Sequence, residues 1–392
     1  MPNIKAMEET LPVAPLRIAA LRSCKDMGDK VNDYIVDFRK CMNEDYLNKP
    51  VYSDYLKDSY LIDCETPRFG TGEAKGIINE TIRGKDLFII VDVCNYSLTY
   101  TVNGHLNHMS PDDHYQDLKR IISAATGKAY RINVIMPFLY ESRQHKRTKR
   151  ESLDCALALE ELVDMGVSNI ITFDAHDPKI VNSIPLLGFD SFNPPYQFIK
   201  ALLRVENNLT VDKEHLAVIS PDEGAMHRAV YFSNVLGVDM GMFYKRRDYS
   251  VMVDGKNPIV SHEFFGDDIQ DKDGIIIDDM ISSGGSMLDA AKQLKCRGAK
   301  KVILCATFGL FTDGFEKFDE YYKQGCIDRV IITNLTYLPP AIYERDYFVV
   351  ADLSKFLALI IDSANHDVTI SKVLDPTEKI HQLLQEHKNK LL

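Results

Sequence analysis

Apolar strand-like runs alternating with helical stretches predict an α/β chain of two domains, each built on a mostly parallel sheet. Three observations carry this expectation. The 392 residues exceed what one ordinary core holds. Apolar runs recur at Leu87–Val91, Arg131–Met136, Asn169–Phe173, Leu216–Ile219, Gly274–Ile277, Lys301–Ala306 and Arg329–Ile332. Between them lie helical stretches such as Glu151–Met165 ahead of Gly166 and Met287–Arg297 ahead of Gly298, the latter glycine placed as a C-cap. In such a fold ligands gather at the C-terminal ends of strands.

Residues 1–14 show no clear pattern and read as a loose lead-in. The first domain is expected over 15–185. Pro185 to Tyr196, with three prolines and a glycine, interrupts the alternation and reads as the junction. The second domain is expected over 186–345, followed by a closing segment over 346–392.

Composition narrows the class. Hydrophobic content of 45% and charged content of 26% are those of a soluble globular protein. A net charge of −11 argues against a nucleic-acid partner. No apolar run reaches the roughly 18–20 residues needed to cross a bilayer, and no signal peptide opens the chain, so no membrane partner is expected. The eight cysteines are scattered without a C-x-x-C pair, which suits reduced core residues and a cytoplasmic location rather than zinc.

The most informative stretch is 274–287, Gly-Ile-Ile-Ile-Asp-Asp-Met-Ile-Ser-Ser-Gly-Gly-Ser-Met. A buried strand over Ile275–Ile277 and a helix over Ser286–Cys296 would leave Ser282–Ser286 as the turn between them. Unpaired N–H groups and the positive end of the helix dipole make such a turn an anion site. Gly284 and Gly285 let the backbone close on a phosphate, and Ser282, Ser283 and Ser286 add hydroxyl donors. Asp278 and Asp279 would repel that phosphate. They suit sugar hydroxyls or a cation, so the pattern points to a phosphorylated ribose.

This segment resembles the 5-phosphoribosyl diphosphate (PRPP) loop of type I phosphoribosyltransferases and of ribose-phosphate pyrophosphokinases. Residues 78–90, Ile-Asn-Glu-Thr-Ile-Arg-Gly-Lys-Asp-Leu-Phe-Ile-Ile, resemble the strand-entry segment of the pyrophosphokinases. Phe69-Gly70-Thr71-Gly72-Glu73 resembles that family's F-S-D-G-E loop, which receives the adenine of ATP, with Thr71 in place of an acid. An aromatic face stacks on a base, and a carboxylate accepts from its exocyclic amine. Arg143-Gln144-His145-Lys146-Arg147 matches R-Q-D-[KR], whose Arg and Gln help bind ATP; His145 stands where the family has an acid. Five basic residues among the eight from Arg143 to Arg150 invite a polyanion. Phe173-Asp174-Ala175-His176 resembles M-D-L-H, whose His binds the magnesium of Mg-ATP.

Ser220-Pro221-Asp222-Glu223-Gly224-Ala225 resembles S-P-D-x-G-G, whose Asp is the second magnesium ligand. Tyr244-Lys245-Arg246-Arg247-Asp248 matches the K-x-R motif at the base of a catalytic loop, with Tyr249–Val260 as the flap beyond it. Cations at i and i+2 on an extended segment share one side and can grip one phosphate chain. The resemblance runs from about Leu16 to Leu374, taking in Thr333-Asn334 and Phe348–Leu374. Extra residues interrupt it near 40–60 and 95–112.

The resemblance implies two tandem type I phosphoribosyltransferase-like domains, Mg²⁺ as cofactor, and ATP and ribose 5-phosphate as substrates. It assigns catalysis to Lys245 and Arg247; ATP to Phe69, Thr71, Gly72, Glu73, Arg143 and Gln144; metal to His176 and Asp222. Ribose 5-phosphate falls to Arg247, Asp278, Asp279 and Ser282 to Ser286. All of these are expected to converge on one cleft, in a homo-oligomer such as a hexamer or its dimer unit. Two other readings stay open. Thr71, His145 and Phe308, where the family more often has His, would suit a regulatory subunit without catalysis. A phosphoribosyltransferase with an unrelated N-terminal domain is the other.

Overall fold

The computed structural model describes residues 7, 9–42, 54–247, 259–370 and 376–391. The chain divides into two units. One comprises Met1–Asn193, Asn334–Pro339 and Asp352–Asp375; the other comprises Pro194–Thr333, Pro340–Ala351 and Pro376–Leu392.

In the first unit the elements follow as β1 (Leu16–Ala20), α1 (Lys25–Lys40), β2 (Cys64–Glu65), β3 (Ile77–Ile78), β4 (Asp86–Ile90), β5 (Thr99–Val102), β6 (His105–His108), α2 (Pro111–Ala125), β7 (Arg131–Ile135), α3 (Asp154–Asp164), β8 (Asn169–Phe173) and β9 (Gly188–Phe192). The main sheet is parallel throughout, in the order β1-β4-β7-β8-β9. Its central strands are mostly apolar because helices bury both faces of a parallel sheet; β4 is buried at all five positions, Asp86 included. A Cβ at Gly28 would collide with Ala20, so α1 lies close against β1 only because position 28 lacks a side chain. Ser110 caps α2 in a capping box: its Oγ accepts from Asp113 N–H at 3.2 Å while Asp113 Oδ2 accepts from Ser110 N–H at 3.0 Å.

Two local expectations need correction here. Residues 188–192, read as part of the junction, form β9, paired in parallel with β8. The third helix starts at Asp154 rather than Glu151. Gln144 Nε2 donates to the Ser152 carbonyl at 2.8 Å, and Thr148 N–H donates to Glu151 Oε2 at 3.2 Å, which holds Glu151 and Ser152 in the preceding loop.

The second unit contains α4 (Pro195–Val205), β10 (Leu216–Ser220), α5 (Met226–Leu236), β11 (Asp239–Arg247), β12 (Ile259–Phe265), β13 (Asp273–Ile281), α6 (Gly285–Cys296), β14 (Val302–Gly309), α7 (Glu316–Lys323), β15 (Arg329–Thr333) and β16 (Phe348–Ala351). The sheet order is β12-β11-β10-β13-β14-β15-β16, parallel except for β12 against β11. From β10 the chain first moves outward to β11 and β12, then returns to place β13 on the other side of β10. That reversal is a topological switch point, where loops leaving the two strands part and a crevice opens. Gly298 ends α6 as expected, at φ +87°, with Gly298 N–H bonded to Lys295 O and Ala299 N–H to Leu294 O.

Among the described residues α8 (Ser354–Asn365) then belongs to the first unit and α9 (Thr377–Leu391) to the second. α8 packs on α1 through a buried ion pair. Arg39 and Asp362 side chains are each 1% exposed; Arg39 Nη2 lies 2.7 Å from Asp362 Oδ1 and donates to Asn365 Oδ1 at 2.8 Å. The guanidinium also sits over the Tyr55 ring at 4.1 Å and the Tyr60 ring at 4.7 Å. Asp362→Asn is expected to destabilise the first unit by about 3–5 kcal/mol, because it strands a buried cation. The double variant Arg39→Met/Asp362→Leu should regain most of that loss. Urea denaturation midpoints of the three proteins check this, and a double variant no better than the single would refute it.

Candidate active site

In the second unit the switch point carries the sequence-singled residues. β13 runs past Ile277 to Ile281, longer than the sequence suggested, because Asp278, Met280 and Ile281 continue the parallel ladder opposite Ala306, Phe308 and Gly309. The acid pair is therefore built into the end of a strand rather than a loop. Asp279 is 3% exposed, and Arg228 Nη2 of α5 lies 3.8 Å from its Oδ2. Asp278 is partly buried. Burial first, then the adjacent Asp279 charge, and more weakly that of Asp222, hold the Asp278 carboxyl well above the usual carboxylate range. Asp222, in the loop after β10, accepts N–H bonds from Gly224 at 3.0 Å and Ala225 at 3.4 Å.

The turn after β13 is Ser282–Gly284, and α6 begins at Gly285, so Ser286 lies in the first helical turn. Gly284 is the N-cap at φ +81°, and a Cβ there would collide with the buried Phe318 ring. Thr312 N–H donates to Ser282 O at 3.0 Å, tying the turn to the segment after β14. The first-turn N–H groups of α6 have no acceptor within the helix, and with the dipole they favour an anion. Phe308 is 2% exposed inside β14, so its departure from the family's His is absorbed by core packing.

Lys245 and Arg247 occupy the end of β11, paired with His262 and Ile259 of β12 across an irregular register at Arg246/Arg247. Of the expected flap, Ile259 and Val260 open β12, and 248–258 lie outside the described residues.

The first unit brings together other stations. Phe69 to Glu73 closes on itself, with Phe69 N–H bonded to Glu73 O at 2.7 Å and Gly72 N–H to Phe69 O at 2.9 Å. The Phe69 ring is 53% exposed, and Thr71 Oγ1 donates to Glu73 Oε2 at 3.0 Å. Gln144 binds its own loop, whereas Arg143 is exposed. His176 lies beside His145, ring centroids 5.4 Å apart, and His145 Nε2 is 3.3 Å from Asp177 Oδ2. The loops after β7 and β8 are thus neighbours. Each contains a non-glycine residue at positive φ, Glu141 at +55° and Asp174 at +39°, the kind of backbone strain that clusters at functional sites.

Sequence reasoning missed Asp92, at the end of β4. It is 2% exposed and accepts N–H bonds from Cys94 at 2.8 Å and Tyr337 at 2.6 Å. Burial pushes its carboxyl up to about 7 despite those bonds. It also missed Arg228, which no motif marked.

Among the described residues no group of three or more His, Cys, Asp or Glu is arranged to hold a metal alone. Mg²⁺ keeps several waters and takes one or two carboxylates with substrate phosphates, so Asp222, beside a crowded acid pair, has the right donor chemistry.

A parallel α/β fold with a strand-turn-helix suited to an anion, beside a carboxylate pair at its switch point, has the pattern of a phosphoribosyltransferase-type protein. Family models agree: residues 16–166 match the N-terminal domain of ribose phosphate pyrophosphokinase, and residues 196–334 match the phosphoribosyl transferase domain. The ribose-phosphate pyrophosphokinase of Thermotoga maritima is 30% identical over 294 residues, covering 74% of this chain and 84% of the relative. That of Mycoplasmopsis pulmonis is 28% identical over 308 residues, covering 78% and 86%. The phosphoribosylpyrophosphate synthetase of Mycobacterium smegmatis has the same fold, with TM-score 0.69 at 22% identity over 90% of this chain and 99% of that one. The chain belongs to the ribose-phosphate pyrophosphokinase family, and its two phosphoribosyltransferase-type domains are those of that family.

Two outcomes follow from the geometry. Gly284→Ala forces a left-handed alanine into the Phe318 ring, costing at least about 1–2 kcal/mol in strain alone. Gly285→Ala meets only Ser283 Oγ, at 3.9 Å, and should leave the denaturation midpoint unchanged. Equal midpoints for the two variants would contradict this. For Asp92, the raised folded value means that ionisation opposes folding. The protonated group's stabilising share is present below the unfolded carboxyl range and is lost as pH climbs towards about 7. Asp92→Asn removes the ionisation but leaves one acceptor oxygen for the two N–H groups, a pH-independent cost. The Tm of Asp92→Asn relative to the parent should therefore be higher at pH 8 than at pH 5, and a pH-independent difference would refute it.

Proposed function

We propose that this chain transfers the β,γ-diphosphoryl group of ATP to the C1 hydroxyl of D-ribose 5-phosphate, giving PRPP and AMP. The observation that carries the reading is the phosphate turn Ser282–Ser286 beside Asp278 and Asp279 at the switch point, in a chain of this family. The turn and the α6 N-terminus suit the 5-phosphate, while Asp278 and Asp279 suit the ring hydroxyls, which can donate to carboxylates without repulsion. Phe69 offers an exposed ring for adenine, Glu73 and Thr71 flank it, and Arg143 with Gln144 serves the nucleotide.

In the reaction the C1 oxygen attacks Pβ and forms the new O–P bond. The bond from Pβ to the α,β-bridging oxygen breaks, AMP leaves with that electron pair, and the hydroxyl proton passes to water. Such transfers need alignment and charge neutralisation more than covalent help. Lys245 and Arg247 supply fixed positive charge to the migrating diphosphoryl group. Mg²⁺, held by His176 and Asp222, would neutralise the triphosphate. No side chain is assigned as general base. Work as a homo-oligomer belongs to the same reading.

The purified chain given ATP, ribose 5-phosphate and Mg²⁺ should release AMP and PRPP in equal amounts. No AMP would favour the regulatory reading, and PRPP consumption with a free base would favour a transferase. Lys245→Ala should lower kcat by roughly 10²–10³ with KM values little changed, the effect expected from losing one transition-state donor. Unaltered turnover would remove Lys245 from its role.

A further inference from the structure

The extra residues near 95–112 have a definite structure: β5 and β6 form a two-residue hairpin around Asn103-Gly104, at φ +47° and +83°. Both central residues at positive φ make the type I′ turn that suits the strand twist, and Asn-Gly is its commonest sequence. Met109 N–H bonds to Leu98 O at 2.8 Å and closes the base.

The hairpin reaches the 69–73 loop at three points. Asn103 N–H, which a two-residue turn leaves outside its own ladder, donates to Gly70 O at 2.9 Å. Val102 Cγ2 lies 2.9 Å from where a Gly72 Cβ would stand, so Gly72, at φ +92°, is walled by the hairpin. Arg68, at the foot of the loop, places its guanidinium 4.8 Å from the Tyr100 ring centre. That foot is tied down in turn. Arg68 Nη2 pairs with Asp117 Oδ2 at 2.9 Å, and Tyr100 Oη donates to Asp113 Oδ1 at 3.0 Å, both acids on α2. Loop, hairpin and helix start are one connected assembly, whereas Phe69 itself remains exposed.

We propose that the hairpin Thr99–His108 is a positioning device for the nucleotide-base loop, with Tyr100, Val102 and Asn103 as positioning residues that set affinity and base preference for ATP. The inference rests on the reading of Phe69–Glu73 as the adenine loop. An exposed five-residue loop loses conformational freedom when it grips a base, and a loop already braced loses less on binding. Bracing of this kind acts on the bound nucleotide before and during reaction alike, so its loss raises KM and leaves kcat nearly intact.

The test replaces Thr99–His108 by Gly-Gly between Leu98 and Met109, whose backbones already pair. Steady-state kinetics with ATP and GTP, each against ribose 5-phosphate, would accompany Tyr100→Ala, Tyr100→Phe and Phe69→Ala. The expected result is a rise in KM for ATP of about tenfold or more, a reduced ATP-over-GTP preference, and unchanged kcat and ribose 5-phosphate KM. Tyr100→Ala should move the same way and Tyr100→Phe, which keeps the ring over Arg68, much less. Should the shortened chain fail to fold, the contrast between Tyr100→Ala and Tyr100→Phe decides. If Phe69→Ala raises the ATP KM while the hairpin variants do not, the positioning role falls and the adenine-loop reading stands. If Phe69→Ala has no effect either, both fall. Equal loss of kcat and of both KM values would show general damage and also overturn the proposal.

Discussion

Two adjacent carboxylates at the end of a buried strand are the constraint around which the second unit is organised. Asp278 and Asp279 sit where β13 still pairs with β14, so neither can swing out into solvent as a loop residue would. Burial first, and then the charge of the adjacent Asp279, raise the Asp278 carboxyl well above the usual carboxylate range. Arg228 at 3.8 Å offsets part of that charge. Neutral hydroxyls that donate, or a cation close by, would offset more. The proposed phosphate turn only a few residues further has the opposite polarity, because the α6 N-terminus presents N–H groups. A ligand that satisfies both must carry hydroxyls at one end and an anion at the other, which is the shape of a sugar phosphate.

Topology explains why these groups meet. In the second unit the chain reverses its direction of growth between β10 and β13, so the loops carrying Asp222 and Ser282–Gly284 leave adjacent strands and part. Among the described residues the first unit has no such reversal: its main sheet advances steadily from β1 to β9. Its candidate residues are held instead by loop structure, the strained backbones at Glu141 and Asp174 and the braced turn at Phe69–Glu73. Sites built on loops are the easier to alter by insertion, and the β5–β6 hairpin falls in a stretch where the family resemblance is interrupted.

The parts legible in the sequence are those set by local chemistry. Buried parallel strands read as apolar runs, and the strand-turn-helix at 274–287 announces itself by glycine, serine and acid content. Strand ends were less legible. Asp278 to Ile281 look like the start of a turn, and only pairing with β14, more than twenty positions away, keeps them extended. Gly188–Phe192 was hidden by its flanking prolines and glycine, although it pairs with β8 along its whole length. The Asn103-Gly104 hairpin did carry a local signal, a turn dipeptide between β-forming residues, but the family pattern around it has no counterpart there. Asp92 and Arg39 owe their state to burial, a property of the assembled core that no short stretch displays.

The departures from the family pattern are better understood as local substitutions than as lost function. Thr71 keeps a hydroxyl in the proposed base loop and donates it to Glu73, so the carboxylate is oriented. His145, standing where the family has an acid, lies against His176 and within 3.3 Å of Asp177. The acid missing at position 145 therefore has a near neighbour in Asp177, two loops apart in sequence and adjacent in space. Phe308 is core. A chain that had given up catalysis would have no reason to keep a like-charged pair buried at a strand end, since replacing one acid by its amide would relieve the repulsion at once.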